Sequence, residues 1–422
     1  MKVIKRDKRT VEFDKRKIVD AIAAAFCEQY EVLDSDMRDC AEKIANEIAN
    51  ITWTNHLHVE EIQDIVEKKL MATKYKNVAK AYINYRYLHG LARDQYKDMM
   101  DAVAEKLSAK NIQNQNANVD EASFGGRIGE ASDVVTKKYA LEYLVSSMAR
   151  ANHENNEVYI HDLNSYAVGS HNCLSIPFDD LLAKGFNTRQ TDVRPAQSIN
   201  TAFQLVAVIF QIQSLQQFGG VSATHLDWTM VPYVRKSFHK HFRDGVKYLS
   251  FISFDKYEGC FDVAKTPIDD HFYKSFGDNV YNYAMEMTVN ECKQAVEGLF
   301  HNLNTLMSRS GNQLPFTSIN YGTCTLIEGR MVIKALLEAS IKGVGKLHKT
   351  PIFPCSIFQC MKGVNRKPGD PNYDLFQLAL KSTAQRLYPN YANVDWSGNA
   401  GYDINDPRTY FSTMGKCKLQ LM

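Results

Sequence analysis

Thr317-Ser318-Ile319-Asn320-Tyr321 and, upstream, Glu157-Val158-Tyr159-Ile160 are short runs rich in β-branched and aromatic residues, and they read as strands. From about residue 123 onward, stretches of helical spacing separate such runs. The most apolar of them, Ile199 to Phe218, is interrupted by Gln204, Gln211, Gln213, Gln216 and Gln217. That is too polar for a lipid-exposed span, so it predicts a buried helix. Strands alternating with helices predict an α/β domain over 121–422.

Working outward, the first 95 residues form a different unit. Val3-Ile4-Lys5-Arg6 and Thr10-Val11-Glu12-Phe13 flank the polar turn Asp7-Lys8-Arg9, which predicts a hairpin. Asp14 then caps a helix whose apolar positions Ile18, Ile22 and Phe26 recur at helical spacing, and Val59, Ile62, Val66 and Leu70 repeat the period. Helical pattern continues from Tyr82 to Leu107. Asn111 to Asn118 then offers almost nothing to bury, so 96–120 reads as a helical and polar linker.

The chain of 422 residues is 45% hydrophobic and 23% charged, the composition of an ordinary globular protein. Fifty Lys+Arg against 48 Asp+Glu leave a net charge of +2, which gives no global reason to bind a nucleic-acid backbone or an anionic membrane. The charged start MKVIKRDKRTVEFDKRK lacks the apolar core of a secretory signal and predicts a cytoplasmic protein. Nine cysteines, odd in number, widely spread and without a C-x-x-C pair, predict free thiols and no metal site.

Two constellations can carry chemistry. Lys2, Lys5, Arg6, Lys8, Arg9, Lys15, Arg16 and Lys17 gather basic charge around a hairpin and a helix start, where a triphosphate could be held. A solvated charged hairpin has the same composition. Tyr159-Ile160-His161-Asp162-Leu163, followed by His171-Asn172-Cys173-Leu174, would suit a site at the C-terminal ends of barrel strands. Its plain alternative is a capped turn at His161-Asp162 and a buried Cys173. A Cys-His hydrolase would use the same residues, but neither a nucleophile motif nor an oxyanion turn accompanies them.

Val3-Ile4-Lys5-Arg6-Asp7, Glu12-Phe13-Asp14, Lys17-Ile18, Ala21-Ile22 and Tyr82-Ile83-Asn84-Tyr85-Arg86 resemble the ATP-cone, the nucleotide-sensing module of many ribonucleotide reductases. The resemblance implies that Lys5, Arg6 and Lys17, together with Val3 and Glu12, bind ATP or dATP as allosteric effectors. Where that family often has Gly after the Asp, this chain has Lys8.

Further motifs appear in the order seen in anaerobic, class III ribonucleoside-triphosphate reductases, the glycyl-radical type. They are His161-Asp162, Asn172-Cys173, Arg194-Pro195, Gln217-Phe218-Gly219-Gly220, Pro315-Phe316-Thr317, Gly343-Val344-Gly345-Lys346, Pro351-Ile352-Phe353-Pro354, Asp370-Pro371-Asn372-Tyr373-Asp374, Arg386-Leu387-Tyr388-Pro389 and Met414-Gly415. The resemblance implies a ten-stranded α/β barrel around a finger loop whose tip cysteine, as a thiyl radical, abstracts the ribose 3′ hydrogen. Cys173 matches a second cysteine that takes part in reducing the 2′ position, with His161 and Asn172 beside it. Met414 matches the methionine of formate-using members. The family further implies a ribonucleoside-triphosphate substrate, formate as reductant, a radical-SAM activase, a homodimer, a zinc site and a glycyl-radical loop. Ser198 to Gln204 falls in the region of the family's specificity site, although its glutamines could equally satisfy buried backbone.

The pattern departs at the finger loop. The family reads Met-Gly-Cys-Arg, whereas this chain reads Met414-Gly415-Lys416-Cys417-Lys418, so Lys416 stands in the tip position and Cys417 lies one residue beyond it. Catalytic geometry tolerates only a fraction of an ångström, so a shift of one residue does not restore the site. Neither the zinc-site cysteines nor the glycyl-radical loop is in the sequence, which suggests an interrupted chain that works with a complementary C-terminal fragment. Two functions follow: an anaerobic reductase of ribonucleoside triphosphates, or a catalytically inactive chain that retains ATP or dATP binding. A nucleic-acid-binding protein is disfavoured by the absence of a basic stripe with interleaved aromatics.

Overall fold

The computed structural model describes residues 2–6, 8–30, 32–51, 57–108, 123–169, 173–217, 219–250, 254, 259, 261–308, 313–396 and 401–413. The chain divides into two compact units, Met1–Asp101 and Ala102–Met422.

In the first unit, β1 (Lys2–Ile4) pairs antiparallel with β2 (Thr10–Glu12), Val3 opposite Val11, as the hairpin reading requires. Asp14 caps α1 (Lys15–Gln29), its carboxylate accepting the Arg16 N–H at 3.0 Å. After α2 (Ser35–Ala49) comes β3 (Leu57–His58), a two-residue strand that pairs in parallel with β1. α3 (Val59–Met71) buries Ile62, Val66 and Leu70, and α4 (Lys76–Ser108) buries Val78, Ala79 and Tyr82. Ile22, Phe26, Ile48 and Leu70 meet in one core behind the three-stranded sheet, so the apolar periods of four helices converge on one place.

In the second unit, α5 (Phe124–Tyr139), α6 (Ser147–Glu154) and α7 (Leu163–Tyr166) precede β4 (Leu174–Ser175). Glu157–Ile160 is not a strand. The alternation of Val158 and Ile160 finds no neighbouring strand among the described residues. The Glu157 and Val158 N–H groups instead donate to the Asn152 carbonyl as a continuation of α6, and Val158 and Tyr159 stay exposed. α8 (Phe178–Lys184) leads to a small hairpin of β5 (Phe186–Asn187) and β6 (Asp192–Val193). The glutamine-interrupted stretch forms α9 (Ile199–Ser214), with Ile199, Phe203, Val206 and Phe210 buried, as expected. There follow β7 (Val221–Ala223), α10 (Leu226–Thr229), α11 (Val231–Leu249), α12 (His271–Lys274), α13 (Asp278–Thr305), β8 (Thr317–Tyr321), α14 (Ile327–Lys342), β9 (Cys355–Cys360), α15 (Tyr373–Arg386) and β10 (Asn390–Asn393).

The strands form one parallel sheet in the order β10-β9-β8-β7-β4. The α/β class is as expected. The described residues supply five strands with two open edges, however, and they do not close a ten-stranded barrel. Val221, Ala223, Ile319, Tyr321 and Phe358 face a core built with α9, α13 and α14. Phe238, Phe242, Phe254, Tyr273 and Phe276 make a second, aromatic core around α11–α13. Among the described residues, the cysteines at 27, 40, 173, 292, 324, 355 and 360 are free thiols, and no helix is long and apolar enough to cross a membrane.

Candidate functional site

The nucleotide candidates of the first unit lie where a three-stranded sheet meets two helix starts. Lys5 and Arg6 follow β1, and Lys17 is in the first turn of α1. Lys5 is half-buried, Lys17 and Glu12 are exposed, and neither lysine makes an ion pair with a described residue. Val3 is 6% exposed and packed in the core, so it offers a ligand only its backbone and the surface around it. The tight turn closes through the Lys8 N–H on the Lys5 carbonyl at 3.0 Å and the Lys5 N–H on the Arg9 carbonyl at 2.9 Å. Lys8 has φ +63°, the left-handed region, which explains why glycine suits this place: a side chain there costs about 1–2 kcal/mol.

Sequence reasoning missed the acidic partners of this cluster. Arg6 donates through Nε to Glu60, and Arg86 donates to Glu60 at 2.7 Å, Asp64 at 2.7 Å and Glu67 at 2.8 Å. Glu60, Asp64 and Glu67 are spaced i, i+4, i+7 on α3, one face of one helix, and that spacing is the signal that could have found them. The hydrogen bond from Arg6, with a second from Arg86, holds the Glu60 carboxyl down at about 2. Burial lifts the nearby Tyr82 phenol to about 12. Arg6, Glu60, Glu67, Arg86, Tyr87 and Arg93 line a cavity of about 500 Å³.

In the second unit, one face of the sheet is polar although buried. Alternation puts Ile319 and Tyr321 on the helix-covered side, hence Ser318 and Asn320 on the other, with their register partners Ser222 on β7 and Ile357 and Gln359 around them on β9. Asn320 and Gln359 are fully buried, and Ser222 and Ser318 nearly so. The Asn320 amide nitrogen donates to Ser222 Oγ at 3.2 Å, to the Ala223 carbonyl at 3.0 Å and to the Thr413 carbonyl at 3.0 Å. Its oxygen accepts the Thr413 N–H at 3.1 Å. Gln359 donates to the Phe411 carbonyl at 2.8 Å, while its own amide oxygen is buried and has no partner among the described residues. The segment 411–413 therefore lies along this polar face, directly before Met414.

Cys173 immediately precedes β4, so it sits at the N-terminal start of an edge strand and not at the C-terminal end where sequence reasoning put it. It is half-buried, and the Leu174 N–H donates to the Gly220 carbonyl at 3.0 Å. Alternation carried back one residue from Leu174 gives Cys173 the same side as Ser175, the register partner of Ser222. His161 is not brought to this face. Its side chain is 77% exposed, with Nδ1 2.6 Å from Asp162 Oδ1, and Asp162 has φ +58°, so the pair forms a turn into α7 instead of ending a strand. Asn172, Met414, Lys416 and Cys417 lie outside the described residues.

Two further groups went unread in the sequence. Asp227, wholly buried, accepts the N–H groups of Gly322 and Cys324, both at 2.9 Å, and of Trp228 at 3.1 Å. Burial raises its carboxyl while those bonds pull it back. Together with Asn365 and Asn372, which donate to the Gly322 carbonyl at 3.0 and 3.1 Å, it fixes the loop after β8. His225, after β7, bonds Asp179 at 2.7 Å and Thr224 at 2.7 Å. Burial opposes ionisation of Asp179, but the bonds from His225 and Thr229 win and leave its carboxyl below the ordinary range. Cys324 is packed against Gly329, where an added Cβ would meet its sulfur at 2.2 Å, and burial raises its thiol. The Gln204 amide oxygen accepts from Asn302 at 3.1 Å, and Asn200 donates to Glu291 at 3.3 Å, so these polar residues of α9 are engaged by α13. Among the described residues, no group of three or more His, Cys, Asp or Glu is placed to hold a metal ion.

Comparison with known proteins agrees with both halves of this description. Residues 1–91 match the ATP cone domain, and residues 115–422 match the model of the anaerobic ribonucleoside-triphosphate reductase. The reductase of that name from Haemophilus influenzae is 32% identical over 400 residues, 93% of this chain and 52% of the relative. That from Escherichia coli is 31% identical over 396 residues, again 93% of this chain and 51% of the relative. The chain spans about half the length of the curated relatives it matches. The Thermotoga maritima anaerobic ribonucleotide reductase solved in complex with dATP and CTP is 15% identical, with a TM-score of 0.46 over 74% of this chain and 50% of that one. The matched models cover nearly all of the sequence and the two relatives agree with them: the chain belongs to the anaerobic ribonucleoside-triphosphate reductase family.

Proposed function

We propose that this chain senses adenine nucleotides through its first unit and carries, in its second, part of the site at which ribonucleoside triphosphates are reduced to deoxyribonucleoside triphosphates. Val3, Lys5, Arg6, Glu12 and Lys17 serve ATP and dATP, the lysines and Arg6 by charge-assisted bonds to phosphate oxygens. Lys5 and Lys17 suit that role because neither is neutralised by a described carboxylate. Cys173 takes part in reducing the ribose 2′ position, with Asn172 beside it and His161 on the turn that leads there. Met414 and Cys417 take the part that the family resemblance gives to the segment after residue 413, and formate is the reductant. The glycyl radical, when present on the assembled enzyme, supplies the unpaired electron. This chain's own residues bind, orient and exclude water. A radical-SAM activase, a second copy of the chain and a complementary C-terminal fragment are the proposed partners, in the cytoplasm, with no part for nucleic acid or membrane.

The single observation that carries the catalytic reading is the buried polar face on which Asn320 and Gln359 hold residues 411–413. A buried amide pair is retained where the backbone it grips must be held in one position. Calorimetric titration of the chain with ATP and dATP tests the sensing half, with a micromolar complex expected, about −8 kcal/mol. Lys17→Ala should weaken it by about 1.5–3 kcal/mol, the worth of one charge-assisted bond. No heat with either nucleotide from folded protein refutes the sensing role, and equal affinity in the variant removes Lys17 from the site.

A further inference from the structure

Of the three cations proposed for phosphate, Arg6 is already engaged. Its Nε donates to one oxygen of Glu60 and its Nη2 to Gln63, whereas Lys5 and Lys17 make no ion pair with a described residue. The second oxygen of Glu60 accepts from Arg86 on α4 at 2.7 Å, so this carboxylate joins β1 to α4 across the first turn of α3. The cavity of about 500 Å³ opens at this junction, lined by both arginines and by Glu60. A phosphate that is to use Arg6 must take the guanidinium hydrogens from Glu60 or be repelled by it. Protonation offers no release near neutral pH, because the two arginines hold the carboxyl down at about 2.

We propose that Glu60 is a latch on the nucleotide site: it occupies Arg6 in the nucleotide-free chain, competes with phosphate for that guanidinium, and when displaced keeps its bond to Arg86. The inference rests on the reading of Arg6 as a phosphate ligand. Its consequence is selectivity by charge. A ligand binds only as far as it can displace the carboxylate, so apparent affinity is divided by the fraction of chains in which Arg6 is open. A triphosphate has the charge to do this and a nucleoside does not. Because Glu60 is shared, occupancy is also read out at Arg86, the residue that ties α3 to α4 through Asp64 and Glu67.

The test is calorimetry on the full chain with ATP, inorganic tripolyphosphate and adenosine, in wild type, Glu60→Gln, Arg6→Ala and the double variant. Gln keeps the shape and removes the charge. The proposal expects Glu60→Gln to bind ATP and tripolyphosphate about three- to tenfold more tightly, with adenosine unchanged, and it expects that gain to vanish in the Arg6→Ala background. Equal ATP affinity in wild type and Arg6→Ala would remove Arg6 from the site and sink the reading beneath the proposal. Weaker binding by Arg6→Ala, with no gain from Glu60→Gln or with a gain that survives loss of Arg6, would overturn the latch alone. As a readout needing no variant of Glu60, the arginine Nε–H resonances of the wild-type chain should shift for both Arg6 and Arg86 on adding ATP. An unmoved Arg86 signal overturns the shared carboxylate.

Discussion

Replacing Asp227 tests whether the loop after β8 is held as the geometry says. Its carboxylate is wholly buried and satisfies three backbone N–H groups, two at 2.9 Å and one at 3.1 Å. Asp227→Ala leaves all three donors without an acceptor, at about 1–3 kcal/mol for each one that stays dry. Removing the buried charge gives part of this back, since burial already works against the ionised form. The net expectation is a loss of about 2–4 kcal/mol. Asp227→Asn should lose less, about 1–2 kcal/mol, because one amide oxygen can still accept from Gly322 and Cys324 while the new NH2 faces the Trp228 N–H. Urea unfolding followed by tryptophan fluorescence gives the free energies, and hydrogen exchange at 322–324 localises the change. The carboxyl is raised in the fold, so wild type should lose stability relative to Asp227→Asn as pH rises from the ordinary carboxylate range through its folded value, then stay level. Asp227→Ala within about 0.5 kcal/mol of wild type, with unchanged exchange at Gly322 and Cys324, would show that these bonds do not hold the loop.

Lys8→Gly should stabilise the first unit by about 1 kcal/mol, since the residue already sits at φ +63°; a lower urea midpoint would refute that account of the turn. Asp179 has the opposite sign from Asp227: its carboxyl is lowered, so its contribution is present at neutral pH and lost as pH falls through the folded value. Asp179→Asn should flatten part of the loss of stability expected as pH falls from the ordinary carboxylate range through the lowered folded value, and identical pH profiles would show that the His225 pair does not contribute. Anaerobic incubation of this chain alone with CTP, ATP, formate and the activase should give no deoxy-CTP, since Lys416 stands where the family resemblance puts the tip cysteine; turnover above a no-protein control would refute that expectation and point to Cys417.

What could be read from the sequence was what is local. The hairpin, the Asp14 cap and the periods of α1, α3, α4 and α9 each involve residues a few positions apart, and all are found as expected. β3 escaped because two residues carry no period, and its strand character exists only against β1, more than fifty residues earlier. Glu157–Ile160 failed for the complementary reason. It has the alternation of a strand, but the Glu157 and Val158 N–H groups are taken by Asn152, that of Ile160 by His153, and no described strand pairs with it. Alternation says which face a residue would use, and only a neighbour makes a strand of it.

The same division separates the parts of the two proposed sites. Lys5, Arg6, Lys17 and Cys173 stand in contiguous motifs and could be picked out as candidates, whereas the contacts the structure adds come from afar: Glu60 to Arg6, and Asn320 to Thr413. Yet a physical trace of each was present. Glu60, Asp64 and Glu67 put three like charges on one face of α3, where they repel unless cations from elsewhere neutralise them, and Arg6 and Arg86 do. Thr317-Ser318-Ile319-Asn320-Tyr321 puts Ser and Asn on one side of a strand whose other side carries Ile319 and Tyr321 into the core, inside a sheet flanked by helices. A polar side on a buried strand must find partners or lose about 1–3 kcal/mol for each group. Asn320 finds them in Ser222, Ala223 and Thr413, so the strand that decides the fold also marks the face along which residues 411–413 run.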